Sequence, residues 1–152
     1  MSDHAASRLL RAGRFSCPGQ VYLVTTNTRY RVPIFQDLTL GRLLVHELRR
    51  AEEQALVTSL AWVIMPDHLH WLFELKSGTL HKLLQQIKAR SAIAINRQRL
   101  SGEAVWQSGY HDKALRSEDD LLKFARYTIN NPVRAGLVRR VADYSLWDAV
   151  WI

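Results

Sequence analysis

From His68 to Leu75 the chain alternates: His68, His70, Leu72 and Glu74 fall on one side, Leu69, Trp71, Phe73 and Leu75 on the other. A period of two marks a strand, and the second set is apolar enough to be its buried face. Just upstream, Trp62 to Met65 is an apolar run and Pro66-Asp67 is turn chemistry, which predicts two strands joined by a tight turn. Gln20 to Asn27, with Val21, Tyr22, Leu23 and Val24, predicts an earlier strand, followed by a polar, basic loop to Pro33. Asp37 is placed to cap a helix running to about Leu56, with Leu40, Leu43, Leu44, Leu48, Ala51 and Ala55 along its apolar stripe. A second helix, from about Thr79 to Arg99, carries Leu80, Leu83, Leu84, Ile87, Ser91, Ala94 and Ile95 at the spacing of one buried face. Ala104 to Gln107 and Tyr110 to Leu115 predict an irregular fourth strand broken at Ser108-Gly109.

Ser117 and Asp120 stand at capping-box spacing and open a last helix, with Leu121, Leu122, Phe124, Ala125, Thr128 and Ile129 inward. Asn130-Asn131-Pro132 is expected to stop it, because the residue before a proline is pushed out of helical conformation. Strand, helix, strand, strand, helix, strand is the order of an α+β, ferredoxin-like (split βαβ) domain, an antiparallel sheet with two helices on one face. Leu69, Trp71 and Phe73 would pack beneath those helices, leaving His68 and His70 on the face they do not cover.

Composition adds a bias rather than a fold. The 152 residues suit one domain, read as a basic arm over residues 1–19, with Arg8, Arg11 and Arg14, and a single folded domain over 20–152. Lys and Arg number 21 against 14 Asp and Glu, a net charge of +7, which favours a polyanionic partner. The single cysteine, Cys17, excludes an internal disulfide and a thiolate metal cluster. With no apolar run of membrane-spanning length and no signal-like start, the expected location is the cytoplasm.

Candidate chemistry centres on the two histidines. At i and i+2 on a strand they point the same way with Cα atoms about 6 to 7 Å apart, close enough for both rings to reach one metal ion. On a helical wheel, Asp120, Lys123, Tyr127 and Asn131 form a stripe along the edge of the last helix. A helix laid across the open sheet face would bring Tyr127 and Asn131 to the histidines. Taken singly, each has an ordinary explanation: an exposed polar pair, an amphipathic tyrosine, a helix-ending asparagine.

The combination is more specific. His68-Leu69-His70, preceded by Val-Ile-Met-Pro-Asp and followed by Tyr127-Thr-Ile-Asn-Asn131-Pro-Val-Arg-Ala-Gly-Leu-Val, resembles the single-tyrosine HUH transposases, insertion-sequence 200-like, and more closely their REP-associated tyrosine transposase branch. The likeness runs from about residue 14 to 148 and includes Trp106-Gln107-Ser-Gly-Tyr110-His111-Asp112 and Tyr144-Ser-Leu-Trp147. It implies that the tyrosine helix lies on the sheet face opposite the other two. It implies further that His68 and His70 hold one divalent ion, Mg²⁺ or Mn²⁺, that Asn131 completes the metal site, and that Tyr127 is the nucleophile. Asn131 replaces the glutamine of the insertion-sequence relatives and has a shorter reach.

Such a set fits phosphodiester chemistry, because a cation on a non-bridging oxygen offsets the negative charge that repels a nucleophile. The resemblance implies cleavage of single-stranded DNA beside a REP-like hairpin through a 5′-phosphotyrosine, by a monomer acting in cis or a homodimer, with no small-molecule cofactor and no membrane. Lys82, Lys88, Arg90, Arg97 and Arg99 are candidate contacts along the hairpin backbone, and Arg8, Arg11 and Arg14 to the unpaired bases at its foot. His111 and Asp112 are candidate neighbours of the site that no spacing places. The competing readings are a non-catalytic ferredoxin-like module that binds DNA or RNA hairpins, and a small metal-dependent hydrolase.

Overall fold

The computed structural model describes residues 18–150; the arginines of the amino-terminal arm and Cys17 lie outside the described residues. Within them the elements are β1 (Val21–Asn27), α1 (Leu38–Glu53), β2 (Val57–Met65), β3 (His68–Leu75), α2 (Leu80–Arg99), β4 (His111–Leu115), α3 (Glu118–Ile129), α4 (Asn131–Arg134) and β5 (Trp147–Ala149). The strands form one antiparallel sheet in the order β4-β1-β3-β2-β5. The first four strands have the expected ferredoxin-like arrangement, with β5 added beside β2.

The period of two in β3 sorts the core into two layers. Leu69, Trp71, Phe73 and Leu75, all fully buried, pack with Tyr22 and Val24 of β1 and Trp62 and Ile64 of β2. Over them lie Leu40, Leu44 and Leu48 of α1 and Leu83, Leu84, Ile87 and Ile95 of α2. Burying each large apolar side chain contributes roughly 1.5–3 kcal/mol, so this layer dominates the stability of the domain. The Trp71 indole keeps a partner by donating to Ser59 Oγ at 2.9 Å. On the opposite face Leu72, Ala61 and Leu115 meet Ala125 of α3, with Leu121, Phe124 and Ile129 partly buried beside them. The tyrosine helix thus lies on the side that α1 and α2 leave open.

The caps expected at Asp37 and Ser117 form, and Thr79 supplies one more. Asp37 accepts from the Thr39 and Leu40 amides, Thr79 from Lys82, and Ser117 from Asp120. Glu118, Asp119 and Asp120 also complement the positive end of the α3 dipole. The broken fourth strand is present as well: Trp106 bridges Thr28, and the ladder resumes at His111 after Gly109, whose φ of +81° suits glycine.

Two expectations are corrected at the carboxyl-terminal end. The last long helix stops at Asn130 as expected, but Asn131, before Pro132, is itself helical, so the reason given for the stop is corrected. α3 ends at Ile129, and Asn131 begins the single turn α4, with the Arg134 amide donating to Asn130 O at 3.0 Å. Proline is well suited to a first helical turn, where no amide donor is required of it. The second correction is β5, which the pattern of the tail does not foretell. It forms because Leu146 and Tyr144 anchor the chain beside β2: the Tyr144 hydroxyl donates to Ile64 O at 2.7 Å, and Leu146 fills the space over Gly41. A Cβ at Gly41 would stand 2.5 Å from Leu146 Cδ1.

Candidate active site

The pairing of β1 with β3 sets Thr25 beside His70, and the turn after Met65 sets Asp67 beside His68. Each histidine is thereby held by its Nδ1 atom. His68 Nδ1 lies 2.8 Å from Asp67 Oδ1, and His70 Nδ1 lies 2.8 Å from Thr25 Oγ1. An ionised carboxylate only accepts, so His68 Nδ1 is the donor to Asp67 and Nε2 is the ring nitrogen left to face the site. The two Nε2 atoms face each other across 3.1 Å, with the rings nearly perpendicular at 88°.

For ligand bonds of about 2.1 Å, nitrogens at that separation subtend roughly 95° at a shared ion, close to the right angle of octahedral coordination. No three His, Cys, Asp or Glu side chains are grouped to hold an ion among the described residues. Two imidazoles leave an ion's remaining positions to waters and a substrate phosphate, although imidazole is a better ligand for borderline ions such as zinc than for hard Mg²⁺. Burial, with the neighbouring His68 and Arg134, pushes the His70 imidazole down to about 4, so it is the neutral ring that a ligand must be. Burial pulls the Asp67 carboxyl up, but hydrogen bonds from His68 and Arg31 outweigh it and hold it below its ordinary value. Asp67 therefore stays ionised beside His68, the usual arrangement behind a metal-binding histidine.

α3 brings Tyr127 to this pair. Its ring centroid lies 6.4 Å from that of His70, edge-on at 75°, and the residue is 47% exposed. Asn131 follows one turn later, with Nδ2 donating to Thr128 O at 3.2 Å and more weakly to Tyr127 O at 3.4 Å. The amide nitrogen is committed to the end of the helix, and Oδ1 is the atom turned away from those carbonyls. Because α4 turns the chain back, Arg134 returns to the tyrosine: its guanidinium carbon sits 3.8 Å over the ring, and Nη2 donates to Tyr127 O at 2.8 Å.

Asp67, Thr25, Arg31 and Arg134 escaped the reading of the sequence. Asp67 carried a signal in standing directly before a histidine; Thr25 and Arg134 reach the site only through strand pairing and a helical turn. Of the two neighbours left unplaced, His111 pairs with Thr25, which pairs with His70, so His111 shares the histidine face two strands away, while Asp112 falls on the opposite face.

The cations of α2 are less uniform than their spacing implies. Lys88 donates to the Gln107 and Gly109 carbonyls, both at 2.8 Å, and burial lowers its pKa. Arg90 pairs with the buried Glu47 at 2.9 Å, and Arg99 bonds Asn96 Oδ1 and Glu103 O. Lys82 and Arg97 are exposed. Three of the five thus brace the helix, and all five lie on the layer away from the histidines. Among the described residues no helix is long and apolar enough to cross a membrane.

Similarity to known proteins agrees with this geometry. A REP-associated tyrosine transposase of Escherichia coli is 26% identical over 134 residues, covering 86% of this chain and 77% of its own length. A solved REP-associated tyrosine transposase, bound to a REP hairpin, superposes with a TM-score of 0.75 at 24% identity, over 88% of this chain and 79% of that one, which establishes the shared fold. The sequence model of the family described as Transposase IS200 like matches residues 18–131, so this chain belongs to the IS200-like transposase family.

Proposed function

We propose that this transposase cleaves and rejoins single-stranded DNA beside a REP-like hairpin, with Tyr127 as nucleophile and His68, His70 and Asn131 as protein ligands of one Mg²⁺ or Mn²⁺ ion. The observation that carries this reading is the convergence of the two Nε2 atoms at 3.1 Å with the Tyr127 ring 6.4 Å from His70. When bound, the ion would polarise the scissile phosphate and withdraw negative charge from its non-bridging oxygens.

The chain's own groups do the rest. Asp67 and Thr25 fix the two imidazoles by their Nδ1 atoms, and Arg134 holds the Tyr127 ring from one side. The phenol gives up its proton to water, and Tyr127 Oη attacks phosphorus in line. The bond from phosphorus to the 3′ oxygen breaks, and that oxygen takes up a proton. The products are a free 3′-hydroxyl and a phosphotyrosine to the 5′ end, whose ester energy allows a later 3′-hydroxyl to reverse the step without ATP. The edge-on placing of Tyr127 beside His70 of its own chain supports action in cis, with a homodimer that shares its sites as the alternative.

The test is a denaturing gel of labelled hairpin DNA with a single-stranded flank, incubated with the protein and Mn²⁺ or Mg²⁺. A metal-dependent covalent adduct is expected, and Tyr127→Phe and His68→Ala each abolish it. An equimolar mixture of those two variants stays inactive if the site acts in cis; restored adduct would mean sites shared between chains. Tight hairpin binding with no adduct would replace the enzyme by a binding module.

A further inference from the structure

The loop between β1 and α1 has no part in the mechanism above, yet it is built against the histidine turn. Fully buried Thr28 anchors it: its amide donates to Asp67 O at 2.9 Å and its hydroxyl to Val32 O at 2.8 Å. The Arg29 amide donates to Val105 O at 2.9 Å. Between these ties Tyr30 and Arg31 stand at φ of 56° and 55°, a left-handed conformation that residues other than glycine seldom adopt, and here two do so in succession. Strain of this kind persists where surrounding structure enforces it, and it gathers at ligand contacts.

What the strain displays is an aromatic face. Tyr30 is 81% exposed, with the Arg29 guanidinium 5.0 Å from its ring centroid. Arg31 turns inward instead, donating from Nε to Asp67 Oδ2 at 3.0 Å, while the other carboxylate oxygen receives His68 Nδ1 at 2.8 Å. Through Arg31, the segment that carries the exposed ring is therefore tied to a site histidine by one carboxylate.

We propose that Arg29, Tyr30 and Arg31 form a base platform for the unpaired DNA next to the scissile phosphate. This rests on the strand-transferase reading and deepens it. The Tyr30 ring stacks on a nucleobase, Arg29 meets the adjoining phosphate, and Arg31, through Asp67, keeps that contact in register with His68. Stacking on an aromatic face accepts any base, so the platform positions the strand rather than reading its sequence.

The experiment uses the full chain and two hairpins, one blunt and one with a single-stranded foot carrying 2-aminopurine at successive positions. Wild type is expected to bind the footed hairpin more tightly and to quench 2-aminopurine at one position. Tyr30→Ala should lose about 10-fold or more in affinity for the footed hairpin, lose the quenching, and bind the blunt hairpin unchanged. Tyr30→Trp should restore both. Tyr30→Gly relieves the left-handed backbone while removing the ring, so it should match Tyr30→Ala in binding without loss of stability. Unchanged affinity and quenching in Tyr30→Ala and Tyr30→Gly, with wild type still forming its covalent adduct, overturns the platform alone. Failure of wild type to form any adduct on the footed hairpin overturns the strand-transferase reading beneath it.

Discussion

The two faces of the sheet are built from the same strands and differ in nearly everything else. Under α1 and α2, β3 presents Leu69, Trp71, Phe73 and Leu75, and the cover is complete. Under α3 it presents His68, His70 and Leu72, and only Leu72 is fully covered. One face supplies stability and the other the proposed site, because a short helix seated on Leu72 and Leu115 leaves the histidine end of the strand open. The proposed reaction requires that partial cover: a helix long enough to bury the histidines would exclude the substrate.

Substitutions on opposite faces should therefore separate activity from stability. Tyr127→Phe is expected to reduce adduct formation by about 10³-fold or more while moving the unfolding free energy by less than about 1 kcal/mol, since the hydroxyl is at an exposed residue. Trp71→Ala is expected to cost about 3–5 kcal/mol in urea unfolding. If the tyrosine variant proved the less stable of the two, the division of labour between the faces would collapse.

Arg134 sharpens the comparison within the open face. Loss of the stacked guanidinium in Arg134→Ala should slow adduct formation about 10-fold and leave hairpin affinity within about 2-fold, with Arg134→Lys recovering part of the rate. A large affinity loss with an unchanged rate at saturating DNA would make it a DNA contact rather than a support for Tyr127.

The open face should also be the acid-sensitive one. His70 stays neutral in the fold down to about 4, whereas the unfolded chain binds that proton near pH 6.5. Below pH 6.5 the unfolded state holds more protons, so stability is lost as pH falls from there towards 4. The expected loss for metal-free protein is about 2 kcal/mol between pH 7 and pH 5, read from urea midpoints, and His70→Gln should flatten it. The smallest effect is at the cap of α3: Ser117→Ala should cost about 1 kcal/mol and lower the melting temperature by a few degrees.

The E. coli relative and the solved relative bound to a REP hairpin both bear the name implied by the His-x-His and Tyr-to-Asn motifs. That name came with the resemblance of the motifs; the fixed period of a strand or a helix says only which residues share a face. Val57–Met65 and His68–Leu75 lie where the alternation and the Pro66-Asp67 turn place them, and Asp37 and Ser117 cap as their side chains dictate. Local rules reached no further. β5 depends on Leu146 finding space over Gly41, a contact across more than 100 residues, and the seemingly uniform row of cations on α2 divides once Glu47 and the Gln107 and Gly109 carbonyls come within reach.

By itself, then, the sequence determined the order of the first four strands and the three long helices, the shared face of His68 and His70, and the placing of Tyr127 at a helix edge, all consequences of backbone periodicity. The tertiary structure alone decided that Thr25 and Asp67 each take one Nδ1, that the two Nε2 atoms meet, and that Arg134 folds back over Tyr127. Those contacts arise between segments distant along the chain or across a turn whose direction no period encodes. They exist only after antiparallel pairing and two layers of apolar packing have set the distances.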